Sequence, residues 1–79
     1  EQRQATAKLR KTVQEAEKRM AKYGEQKKIL EARLADPKVY NGSTSDMMAL
    51  QVEHAKAKEA MDEAEAAWLE AQEALEGAA

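Results

Sequence analysis

His54 is the only histidine of the chain, and no cysteine accompanies it. A metal centre built on an imidazole needs further ligands beside it, and a general base needs an orienting partner within reach. One helical turn to either side of His54 stand Leu50 and Lys58, which supply neither. The carboxylates of the second half are numerous, but they are spread along what reads as a solvated helix face, with nothing to enclose them. No phosphate-binding glycine loop, dinucleotide fingerprint, H-E-x-x-H pair or nucleophile elbow is present. A catalytic, metal or cofactor site is not expected in this chain, which reads as a non-enzyme.

What remains is the chemistry of charge. Residues 1–38 carry eleven Lys/Arg against six Asp/Glu, a net of +5, and residues 39–79 carry two against nine, a net of −7. Two helices of opposite sign attract when laid side by side, and the basic one also offers a face to an anionic partner. Lys8, Arg10, Lys11, Lys18, Arg19, Lys22 and Lys28 are the candidate contacts to nucleic-acid phosphates. Each phosphate neutralised releases counterions, so such binding would weaken steeply with salt. No aromatic residue is interleaved with these lysines, so contact would follow the shape of the backbone rather than base stacking.

The elements that position these residues follow from apolar spacing. Leu9, Val13, Ala16, Met20, Tyr23, Lys27, Leu30 and Leu34 advance in alternating steps of four and three, the a and d positions of a heptad. Met47, Leu50, His54, Ala57, Met61, Ala64, Trp68, Ala71 and Leu75 repeat the pattern. The spacing predicts an all-α fold, a two-helix antiparallel coiled-coil hairpin. Its first helix runs over about 2–35, its turn over 36–44 and its second helix over about 45–76. Asp36-Pro37 ends the first helix near Ala35, because the residue before a proline is pushed out of the α region. Gly42 suits a positive φ, and Ser43, Thr44 or Ser45 can cap the second helix, Ser43 with Asp46 resembling a capping box. Pro37 and Tyr40 form the hairpin tip, Tyr40 folding over the last layer near Leu34 and Met47. Ile29, Met48 and Val52 fall outside the stripes and read as ordinary scattered surface residues.

Register is the open point. Paired residues that sum to 77 set Leu9 by Trp68 and bring Arg10 near Glu65, Glu17 near Lys58 and Arg33 near Asp46. A sum of 84 sets Trp68 by Ala16, a large-to-small fit, but brings Glu17 near Glu65. The complementary charges favour 77, although such flanking pairs contribute only a few tenths of a kcal/mol each. Lys27 at a seam position and Gly24 beside it predict a loose or kinked patch over residues 24–27.

Seventy-nine residues bound the chain to one small domain, and the lack of Met at position 1 suggests a piece of a larger protein. No apolar run nears the roughly 20 residues of a membrane span, and a cysteine-free chain suits a reducing compartment. The two stripes should be satisfied by one hairpin, so a monomer is expected.

Leu34-Ala35-Asp36-Pro37 with Val39-Tyr40 between two such helices, followed by Ala66-Ala67-Trp68-Leu69-Glu70, resembles the C-terminal coiled-coil domain of ABC-F ATPases. The resemblance covers essentially the whole chain. It is closest to the Uup and YheS branch, residues 67–76 resembling YheS most. A coiled-coil arm of valyl-tRNA synthetase is a poorer match, its turn lacking the Asp-Pro and the Tyr. The resemblance implies a cytoplasmic parent with two cassettes that bind ATP and Mg and no transmembrane domain. It implies action on ribosomes in translation, and DNA binding by the tail. Lys27, where relatives place Leu, and the Ser/Gly-rich Asn41–Ser45 segment depart from the pattern. Two functions follow as expectations: an accessory domain that binds DNA, rRNA or tRNA through the basic face of helix one, or a structural and protein-interaction hairpin without nucleic acid.

Overall fold

The computed structural model describes residues 2–78, with the side chains of Gln2 and Tyr40 excepted. It contains α1 (Gln2–Ala35), α2 (Pro37–Tyr40) and α3 (Thr44–Ala78), and no strand among the described residues. α1 and α3 lie along one another in a rod 59 × 14 × 14 Å. Its radius of gyration is 17.5 Å, against about 12 Å for a compact globule of this length. No helix of the described residues is long and apolar enough to cross a membrane.

Every residue of the two predicted stripes is buried or half-buried, while most of the remaining chain is exposed. Among the described residues the core is narrow and made largely of alanine, Ala16, Ala57, Ala64 and Ala71, with Leu30 its one large member. Small side chains let two helices approach closely, and the larger stripe residues cover the contact from the sides.

The contacts across the rod set the register, and they correct the favoured alignment. Gly24 faces Met61, and Glu31 meets His54, so paired numbers sum to 85. The sum is therefore the one near 84, not 77. None of the ion pairs that favoured 77 is formed among the described residues. The physical reason is one of scale. Exposed charge pairs contribute a few tenths of a kcal/mol, whereas packing the largest side chain against a small one decides whether a core void or a clash results. In this register Trp68 comes level with Ala16, whose exposure is 0%.

The turn is more ordered than its composition suggests. Asp36 is extended (φ −75°, ψ 123°) and its carboxylate accepts a hydrogen bond from the Lys38 N–H at 3.0 Å, capping α2, in which Pro37 takes a first-turn position. The same Asp-Pro pair that stops α1 thus starts a one-turn helix, because proline needs no N–H partner there. Gly42 has no positive φ, contrary to expectation. Asn41 leaves α2 in the right-handed region (φ −91°, ψ −5°), and the Gly42 N–H closes on the Val39 carbonyl at 3.2 Å, so no left-handed residue is needed. Ser43 caps α3 as expected: its Oγ accepts from the Asp46 N–H at 3.2 Å. The expected packing of Tyr40 over Leu34 and Met47 lies outside the described residues.

α1 runs unbroken through Gly24 and Lys27. A Cβ on Gly24 would stand 3.9 Å from Met61 Sδ and 4.0 Å from its Cε, which is ordinary contact. Gly24→Ala should therefore recover the helix propensity that glycine forgoes, about 1 kcal/mol. Thermal unfolding followed by circular dichroism should show Tm rising by about 4–8 °C; a fall would mean that the approach of α3 requires glycine.

Candidate nucleic-acid interface

Lys8, Arg10, Lys11, Lys18, Arg19, Lys22 and Lys28 are all exposed on α1. The helix does not bring all seven to one face. Lys8, Lys11, Lys18 and Lys22 are separated by three, seven and four residues, which keeps them on one stripe over fourteen residues, about 21 Å at 1.5 Å per residue. Arg10 and Arg19 flank this stripe on opposite sides, and Glu25 separates Lys28 from it. Glu15 lies within the stripe and dilutes its potential. The coherent cationic patch is thus four lysines long. Of the tip pair, Pro37 is exposed.

One of these lysines is partly engaged. Lys22 Nζ stands 5.5 Å from the centroid of the Tyr23 ring, within the range where the ring quadrupole attracts an ammonium. Tyr23 is half-buried and Trp68 sits in the seam, so neither of the two aromatic rings among the described side chains is offered to stack on a base. α3 presents mainly carboxylates, and an anionic polymer would meet the rod on its α1 edge.

The seam carries one polar cluster. Lys27 is half-buried at its seam position, and its ammonium stands 3.9 Å from Glu31 Oε1. His54 Nε2 lies 3.5 Å from the same oxygen without the geometry of a hydrogen bond. His54 Nε2 and Trp68 Nε1 are buried ring nitrogens with no protein hydrogen-bond partner. No group of three or more metal-ligating side chains exists among the described residues.

A groove of about 490 Å³ runs along one side of the rod, floored by Tyr23, Leu30, Ala57 and Ala60 and edged by Ile29, Arg33, Glu53 and Lys56. Sequence reasoning missed it. The signal was there in Ala57 and Ala60 opposite Ile29, an isoleucine that remains 49% exposed.

A model of the family described as ABC transporter C-terminal domain matches residues 4–73, most of the chain. No curated protein and no solved structure matches it.

The polar cluster generates a stability prediction. Replacing Lys27 by Leu removes an exposed ion pair worth little and adds apolar burial at a half-buried seam position. Lys27→Leu should stabilise the fold by about 1 kcal/mol, read as a higher urea midpoint with an unchanged slope. A lower midpoint would show that the Lys27–Glu31–His54 group holds the seam together.

Proposed function

The chain belongs to the family of ABC transporter C-terminal domains, and from that premise we propose that it is a non-catalytic accessory domain that grips nucleic-acid phosphates along α1. Its architecture is that of a two-helix antiparallel coiled-coil hairpin, the form taken by the tail of a cytoplasmic ABC-F protein of the Uup/YheS kind. ATP and Mg are handled elsewhere in such a parent.

The observation that carries this reading is the exposed stripe of Lys8, Lys11, Lys18 and Lys22 on a helix whose partner is acidic. Segregation of charge onto opposite edges gives the rod one attractive edge and one repulsive edge toward a polyanion. It also fixes what kind of binding results. A rigid row of ammonium groups without stacking rings reads the spacing of phosphates, so DNA duplex and structured RNA compete for one surface and base sequence matters little. Protein contact at the turn end is the second reading, favoured by Met48 and Val52, 60% and 52% exposed and one turn apart on α3.

Titrating duplex DNA and structured RNA against the chain at several salt concentrations separates the two. Full engagement of the four-lysine stripe on B-DNA gives a slope of log K against log salt of about −3 to −4. Lys11→Glu, Lys18→Glu and Lys22→Glu combined should abolish binding at low salt while leaving the helical signal intact. Unchanged affinity in that variant, or no binding by the parent sequence at low salt, removes the phosphate reading.

A further inference from the structure

The two sides of the rod differ. One side carries the groove described above and a second of about 280 Å³, lined by Leu9, Thr12, Ala67, Glu70, Ala71 and Ala74. Thr12, Gln26 and Arg33 are whole heptads apart, as are Glu53, Ala60, Ala67 and Ala74, so both grooves lie on the same side. The opposite side presents Arg10, Glu17 and Glu31 from α1 and Gln51, Lys58 and Glu65 from α3, with Gly24 over Met61 the apolar break in an otherwise polar row. An alanine-floored, grooved side with an exposed isoleucine on its edge is one that another pair of helices can approach closely.

One hairpin satisfies both stripes, which alone would leave a monomer. From the grooved side outside them we propose that this side packs against the same side of a second copy of the chain, about a two-fold axis parallel to the rod, giving a four-helix bundle with both turns at one end. Charge selects the occupant and the axis. Two-fold symmetry about the rod direction sets α1 of one copy beside α3 of the other, so every basic helix is flanked by two acidic ones. The alternative axis, across the rod, would set basic α1 on basic α1.

The register then places particular residues together. A two-fold axis along the rod keeps heights equal, so residue n of α1 meets a residue near 85 − n of α3 in the second copy. Arg33 falls within a turn of Glu53 of the second copy, and Lys22 and Arg19 fall beside its Glu63. Ile29 comes level with Lys56 at the edge of the second copy's groove and reaches over it toward Ala57 and Ala60. One like-charged meeting, Glu15 with Glu70, opposes these. A side face 59 Å long and 14 Å wide offers roughly 800 Å², matching the roughly 800 Å² that each partner gives to an ordinary specific interface. Lys11 and Lys18 stay outside the contact while Lys22 lies in it, so a polyanion and a second copy would compete for Lys22. The bundle itself rests on the grooves and the α1–α3 charge pairing, not on the nucleic-acid reading.

Sedimentation velocity across micromolar to millimolar concentrations tests this directly on the 8.8 kDa chain. The expected result is a dimer whose dissociation constant rises at least tenfold in Arg33→Glu and in Glu53→Arg, and returns toward the parent value in the doubly substituted chain. Ile29→Ser should weaken it by a similar factor, and Met48→Ser, on the outer face of α3, should not. Circular dichroism confirms that each variant keeps its helices. A chain that stays monomeric throughout, a double substitution no better than the single ones, or dissociation by Met48→Ser rather than Ile29→Ser would each overturn the proposal.

Discussion

The structure depends on how a few large side chains find small ones across a seam only two helices wide. With no sheet or third long helix among the described residues to close over it, the seam must exclude water along its whole length using whatever the two stripes provide. Alanine occupies the innermost positions of α3 and, at Ala16, of α1. The helices can therefore come close wherever alanine stands, and Trp68, Met61 and Leu30 must each be placed where the opposing surface yields. The register, the height of Glu31 against His54 and the location of both grooves all follow from that matching. The charges follow from it too, since the register decides which of them become neighbours.

This hierarchy explains which parts of the molecule could be read in advance. The stripes were legible to the residue, because burial of an alternating three-and-four pattern on a helix admits one solution. The boundaries of α1 and the Ser43 cap were legible for the same local reason: proline and hydroxyl chemistry act within one turn. The alignment of α1 with α3 was not, because it turns on two sums of small terms, and charge is written in the sequence while the volume left between two helices is not. The short helix at Pro37–Tyr40 was hidden behind a signal with two meanings, since Asp-Pro both stops a helix and begins one.

Among the candidate site residues, exposure was legible and grouping was not. Seven cations read as one basic face from composition, yet helical geometry leaves four in a row and puts Arg10 and Arg19 on opposite flanks. Ile29 read as an ordinary surface residue until α3 was set beside it, when the small Ala57 and Ala60 turned an isolated side chain into the edge of a groove. A feature made jointly by two segments far apart in sequence leaves no mark in either one alone.

Arg3, Thr6 and Arg10 line one cavity with Ala78, so the start of α1 and the end of α3 lie together at one end of the 59 Å rod, with the turn at the other. Anything joined to either end therefore holds this rod by its base. Two helices braced along their length resist bending, so a small tilt at the base would be magnified into a wide sweep of the turn. In mechanical terms the domain is a lever arm, and the segment from Pro37 to Ser43 is where its displacement would be felt.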